Sequence, residues 1–296
     1  FEQAMQEMGA VDRSLAGKIG PPDDVKLEAV HARNIAEPDY AVETPVATRR
    51  AYGNALKRIA DGFPNIVALD GEVSNSTYSE IFQEAYPERF FEMYIAEQNM
   101  MGAAAGLAAR GKIPFVSTFA AFLTRCFDQI RMNQYSKSNV KISGSHAGVS
   151  IGQDGPSQMG LEDIAMFRTL LDGVVLYPSD AVSTERLIEQ AAAHKGVVYI
   201  RTTRMNVPIL YKMDDEFTIG GSKVLRIHNK DRVTIVAAGV AVFEALAAYE
   251  ALKEEGIMVR VIDLYSIKPI DVVTLREVAQ ATGTIITVED HYAEGG

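Results

Sequence analysis

Glu97 follows the apolar run Phe90–Ile95 and precedes a helical pattern of small residues, Gln98–Ala109. That spacing puts a carboxylate at the carboxyl end of a strand, where parallel α/β folds bind ligands. On position alone the commoner role is a carboxylate that complements the helix dipole. His146, Asp154 and Gln158 crowd the glycine-rich run Gly144–Gly160. Such a run is either a plain connection or a loop whose backbone must approach a ligand, and its length and polarity favour the ligand. Phe119 and Phe122 are spaced by one helical turn and read on that ground as a core pair.

Other patterns carry less. Gly148-Val149-Ser150-Ile151-Gly152 matches the G-x-S-x-G signature of serine hydrolases, which requires a sharp strand-to-helix turn. Gly155-Pro156 oppose a helix there, so the match is read as coincidence. No C-x-x-C, H-E-x-x-H or EF-hand spacing predicts a self-contained metal site. Neither G-x-x-x-x-G-K-[ST] nor G-x-G-x-x-G occurs, so a bound diphosphate would have to be held from outside this chain.

The elements that must position these residues alternate. Helical spacing predicts helices over Thr48–Ala60, Phe119–Gln134, Glu162–Leu171 and Ala181–His194. Short apolar runs predict strands at Ile66–Leu69, Phe90–Ile95, Ile113–Ser117, Val140–Ser143, Gly173–Tyr177 and Val197–Arg201. Strands of this kind between helices imply an α/β fold with a mostly parallel sheet covered on both faces. Residues 1–46 read as a helix followed by a proline-bearing extended linker, and 47–205 as the first α/β domain. Pro208, the acidic Asp214-Asp215-Glu216 and Gly220-Gly221 mark 206–223 as a connection. Residues 224–296 begin a second α/β unit, with strands at Val233–Ala237, Met258–Ile262 and Thr284–Val288 and helices at Ala241–Glu254 and Asp271–Ala281.

The chain has 296 residues, 47% of them hydrophobic and 23% charged, which excludes a disordered tail or a disulfide-stapled miniprotein. Its 29 basic and 39 acidic residues give a net charge of -10, which argues against a nucleic-acid surface. A small phosphorylated substrate stays open, because a pocket needs only two or three local cations. The single cysteine forms no intrachain disulfide, and no run suits a membrane span or a secretory signal, so a cytoplasmic location is expected. The opening Phe1 and the ending just past a predicted strand suggest a fragment or one half of a larger assembly.

Several stretches together resemble transketolase. They include Ala47-Thr48-Arg49-Arg50-Ala51-Tyr52-Gly53, Leu69-Asp70-Gly71 with Asn75-Ser76-Thr77, and Tyr94-Ile95-Ala96-Glu97-Gln98-Asn99-Met100. Ser117-Thr118-Phe119-Ala120-Ala121-Phe122, Gly144-Ser145-His146 and Asp154-Gly155-Pro156-Ser157-Gln158-Met159 follow in the family's order. Ile200-Arg201-Thr202-Thr203-Arg204, Ile267-Lys268-Pro269 and Val288-Glu289-Asp290-His291 complete the set. The resemblance runs from about Ala47 to the last residue, and its Ser157-Gln158-Met159 form is similar to the animal-like branch.

It implies a thiamine diphosphate enzyme that moves a two-carbon ketol unit from a ketose phosphate to an aldose phosphate. Residues 47–205 would be its pyrimidine-binding domain and 224–296 the first part of its carboxy-terminal domain. The diphosphate-binding domain, which holds the diphosphate and Mg2+ (or Ca2+), would lie elsewhere. Glu97 would hydrogen-bond the aminopyrimidine ring nitrogen and favour the imino tautomer that takes the thiazolium proton, a task helped by a dry pocket that protonates the carboxyl. Phe119, Phe122 and Gln158 would complete the cofactor contacts. Arg49, Ser76, His146 and Arg204 would hold the sugar phosphate, and Asp154 would read the hydroxyl beside the ketose carbonyl. The implied assembly is a homodimer, or a heteromer with a diphosphate-binding subunit as in a split enzyme. Other readings are deoxyxylulose-phosphate synthase or a 2-oxoacid dehydrogenase β-subunit, opposed by Arg49, Arg204 and Asp154–Met159, and a non-catalytic paralogue, opposed by the retained Glu97.

Overall fold

In a computed structural model, the structure describes residues 35–296 together with Glu2, Gln6 and Gly9. The helix expected within residues 1–18 and most of the expected linker lie outside the described residues.

Strand β1 (Val46–Ala47) runs straight into the helix Thr48–Ile59. Then come β2 (Ile66–Asp70), β3 (Phe90–Glu92), β4 (Ile113–Phe119), β5 (Lys141–Ser145), β6 (Val174–Leu176) and β7 (Val198–Arg201). These six are mutually parallel in the order β6-β7-β5-β4-β2-β3. Both faces are covered, which is why the strands read as continuous apolar runs. Along β2, Ile66 and Ala68 face the helices Thr48–Ile59 and Ala181–Ala193, while Val67 and Leu69 face Met100, Met101 and Ile130 on the other side. Period-two alternation therefore feeds two cores from one strand.

After β7 the chain forms β8 (Asn206–Val207), which pairs antiparallel with β1. A second sheet follows with β9 (Lys223–Arg226), β10 (Thr234–Ala237), β11 (Arg260–Asp263) and, beyond β12 (Ser266–Lys268), β13 (Ile285–Val288), in the order β13-β10-β11-β9. Strand β12 is not part of that sheet. It returns to pair antiparallel with β6, making a seven-stranded first sheet. The two units are thus joined by backbone hydrogen bonds as well as by the chain.

Several expectations need correction. The helix expected over Phe119–Gln134 is interrupted. Phe119 ends β4, Phe122–Cys126 is a 3-10 turn, and the α-helix proper is Phe127–Tyr135. Strand β3 stops at Glu92 because Tyr94 adopts a left-handed conformation, φ 54°. Short helices at Ser74–Thr77 and Glu80–Ala85 were not expected, since neither has a full amphipathic period. The stretch 206–223 is less of a plain connection than its composition suggests, because its first two residues form β8.

Candidate functional site

The candidate residues gather at the carboxyl edge of the six parallel strands. Gly71 follows β2, Glu97 follows β3, Phe122 follows β4, His146 follows β5 and Arg204 follows β7. Strand β2 lies between β3 and β4, so the connection leaving β2 runs one way along the sheet, to β3, and the one leaving β4 runs the other way, to β5. That is the crevice where open α/β sheets accept ligands.

Glu97 is the first residue of the helix Glu97–Ala109 and is 5% exposed. It does not face a dry apolar pocket, as the resemblance implied. Its Oε1 accepts a 2.5 Å hydrogen bond from Arg125 Nη1, and the neighbouring Gln98 donates to the Arg125 carbonyl at 3.1 Å. The Arg125 guanidinium also lies over the Phe122 ring, 4.3 Å from its centroid. Phe122 stacks on Phe119 at 5.1 Å and an interplanar angle of 15°, and Phe119 stacks on His146 at 3.9 Å. The two phenylalanines meet although no helix joins them, because the turn after β4 folds one ring over the other. A ladder Glu97–Arg125–Phe122–Phe119–His146 therefore crosses the edge of the sheet. Arg125 is a residue that sequence reasoning missed, and its signal was its place three residues beyond Phe122.

At the far end of the ladder are the cations. Arg49 is the second residue of the helix Thr48–Ile59, and the β1–β8 pairing brings it against the segment after β7. Thr48 fixes that junction: its Oγ1 accepts from the Thr203 amide at 2.9 Å. Arg49 Nε donates to the Arg204 carbonyl at 3.3 Å and Nη1 to the Ser76 carbonyl at 2.6 Å. Ser76 thus enters through its backbone in this arrangement. Arg204 Nη1 donates to the Ile151 carbonyl at 2.5 Å and lies 3.7 Å from Asp154 Oδ2. Two guanidinium groups stand here with one carboxylate beside Arg204, an excess of positive charge in a chain that is acidic as a whole. Burial lowers the Arg49 pKa. His146, 2% exposed, is pushed down to about 4 by burial, with Arg49 next in effect, and its Nδ1 is 2.9 Å from Ser145 Oγ.

The loop carrying Ser76 hangs on Asp70, the last residue of β2. Its Oδ1 accepts from the Val73 amide at 2.7 Å and its Oδ2 from Thr77 and Ser79 hydroxyls at 2.7 and 2.8 Å. Burial pushes the Asp70 carboxyl up to about 6. Tyr78, at φ 61°, turns its ring under Arg49, 5.0 Å from the guanidinium carbon. Gln158 stands on the same loop as Asp154. Its described partners are local, with Ser157 donating to Oε1 and its own amide reaching the Gly155 carbonyl at 3.3 Å.

Ser150 lies in a 3-10 turn, Val149–Asp154, broken by Gly152, rather than at a strand-to-helix elbow. Its buried hydroxyl has no hydrogen-bond partner among the described residues, so nothing activates it as a nucleophile. Among the described residues no group of three or more His, Cys, Asp or Glu is arranged to hold a metal ion. Nor, among them, is any helix long and apolar enough to cross a membrane.

Fold and site together define the pyrimidine-binding type of α/β domain, followed by part of a carboxy-terminal domain. Residues 44–209 match the family described as "Transketolase, pyrimidine binding domain" and 222–296 match "Transketolase, C-terminal domain". The chain belongs to the transketolase family, which is thiamine diphosphate-dependent. It is 49% identical to human transketolase over 300 aligned residues, all of this chain and 48% of that protein. It is 50% identical to mouse transketolase-like protein 2, over 96% of this chain and 46% of that one. The chain thus spans about half the length of the curated relatives it matches. Among solved structures, a split-gene transketolase described as an inactive β4 tetramer aligns with a TM-score of 0.79 and 46% identity, over 86% of this chain and 82% of that one. A Pichia stipitis transketolase solved with sedoheptulose-7-phosphate shares the fold, with a TM-score of 0.78 at 23% identity.

Proposed function

We propose that this chain supplies the pyrimidine side and the sugar-phosphate side of a transketolase site, which transfers a two-carbon ketol unit from a ketose phosphate to an aldose phosphate. The observation that carries the reading is the aromatic ladder. It joins a buried carboxylate to a two-arginine cluster along a single edge of the sheet.

The residues fit an aminopyrimidine. Arg125 places a flat, N–H-bearing cation on the Phe122 ring and against the Glu97 carboxylate, the two contacts such a ring would use. Thiamine diphosphate, when bound, would supply an acidic carbon whose deprotonated form is the nucleophile toward a ketose carbonyl. Glu97 holds the ring nitrogen, and Phe122 and Phe119 fix the ring plane and exclude water. Arg49 and Arg204 offer planar forks of donors to a phosphate group, which arginine satisfies in a bidentate way. His146, neutral at physiological pH, acts by hydrogen bonding rather than by charge. Asp154, beside Arg204, accepts from a sugar hydroxyl, and Gln158 borders the cofactor from the same loop.

Mg2+ (or Ca2+) finds no ligand cluster among the described residues. The diphosphate and its metal belong to a partner domain or subunit, in a homodimer or heteromer working in the cytoplasm. The relative described as an inactive β4 tetramer supports a chain that works only with such a partner. Mixing this chain with a diphosphate-binding portion should give ketol transfer that neither gives alone. Pyruvate decarboxylation in its place would favour a different thiamine diphosphate enzyme.

A further inference from the structure

The second unit reaches back into the first through Asp290, just after β13. Its Oδ1 accepts from Arg201 Nη1 at 2.7 Å and from the Tyr177 hydroxyl at 2.9 Å. Arg201 is fully buried at the end of β7. Its Nε and Nη2 also bind Asp163 at 2.8 and 3.2 Å, and Nη2 donates to the carbonyls of Gly160 and Asp290, each at 3.1 Å. A buried guanidinium that donates from all three nitrogens to two carboxylates and two carbonyls is held rigidly.

Gly160 closes the base of the loop that carries Asp154 and Gln158. The Gly148 amide donates to the Gly160 carbonyl at 2.8 Å, and Ala147 and Gly160 form an isolated bridge. Gly148 is at φ 78°, and a Cβ built there would stand 1.7 Å from Asp290 Oδ2. The Asp290 carboxylate therefore lies directly against the first residue of the loop, while Arg201 grips the last. At the tip, Arg204 holds the Ile151 carbonyl.

We propose that Asp290 is a positioning residue: acting through Arg201 and Gly148, it clamps both ends of the loop Gly148–Gly160 and so sets where Asp154 meets the substrate. The functional half of this inference rests on the transketolase reading. The clamp itself does not.

Amide hydrogen exchange of the full chain tests the clamp. Asp290→Asn keeps the size of the side chain and removes its charge, leaving Arg201 balanced by Asp163. Exchange at Gly148, Gln158 and Met159 should rise about tenfold, as expected when a charged hydrogen bond is weakened. The amides of β2 and β4 should stay within about twofold. In the assembled enzyme KM for a ketose phosphate should rise by a similar factor with kcat little changed. Tyr177→Phe, which removes one hydroxyl, should show a smaller effect in the same loop and serves if Asp290→Asn fails to fold. Unchanged loop exchange in a folded variant, or a rise spread evenly over the chain, overturns the proposal. Faster loop exchange in a chain whose native assembly transfers no ketol unit upholds the clamp and rejects only the functional reading.

Discussion

Arg125 donates to the Glu97 carboxylate at 2.5 Å while its guanidinium covers the Phe122 ring at 4.3 Å. On the proposed reading, this ion occupies the place of the aminopyrimidine. Arg125 is 49% exposed, so water competes for it and the pair is worth at most about 1 kcal/mol. Displacing it is therefore cheap. Arg125→Ala in the assembled enzyme should tighten thiamine diphosphate binding by about two- to fivefold, read by titration of cofactor fluorescence quenching. Weaker binding would mean that the guanidinium stays to hold the cofactor instead of yielding to it.

The arginine pair makes a different demand. Arg204→Ala should raise KM for phosphorylated ketoses by about 10- to 100-fold while leaving a non-phosphorylated ketol donor nearly unaffected. Arg49→Ala should do the same, with some loss of stability because its side chain also ties the Ser76 carbonyl. Equal losses with both donors would remove the phosphate role from either residue.

His146 gives a pH signature. Its ordinary value of 6.5 falls to about 4 in the folded chain, through burial first and Arg49 next. Above pH 6.5 the imidazole is neutral in both states. As pH falls from 6.5 toward 4, the unfolded chain takes up the proton first, so folding stability is lost across that window. Between pH 7 and pH 5 the loss is about 2 kcal/mol. Urea titrations should show this difference in the native chain and a smaller one in His146→Asn. A ring that titrates near 6.5 by NMR would contradict it.

Gly53 tests how tightly the Ser76 loop is seated. In a helix interior, alanine normally gains about 1 kcal/mol over glycine. Here a Cβ at Gly53 would come 2.1 Å from the Tyr78 carbonyl oxygen. Gly53→Ala should therefore destabilise the chain by about 1–3 kcal/mol, measured by chemical denaturation. A stabilised variant would show that the loop yields freely.

Much of this was legible in the chain. The alternation of buried runs and helical spacing specified the parallel sheet, because burial on both faces leaves a continuous apolar signal in β2, β6 and the first half of β4. Local geometry was not legible where it depends on partners far along the sequence. Nothing near Phe119 says that it ends a strand, since its rotation toward His146 is set by the neighbouring β5. The β12 excursion is three residues long and pairs with a strand about 90 positions earlier. Asp290 was invisible as a site residue for the same reason, since its role arises only when Gly148 is brought to it, and Arg125 carried no signal but its place three residues beyond Phe122. By contrast, Glu97 stands between an apolar run and a helical pattern and His146 in a glycine-rich run, so both drew notice before the resemblance that nominated Arg204.

The most direct test of the account is proton–deuterium exchange at the reactive carbon of thiamine diphosphate bound to the assembled enzyme, with Glu97 and with Glu97→Ala. The account predicts exchange slowed by about 10²- to 10⁴-fold in the variant, with KM for the sugar phosphates changed little. Near-normal exchange in Glu97→Ala would contradict it.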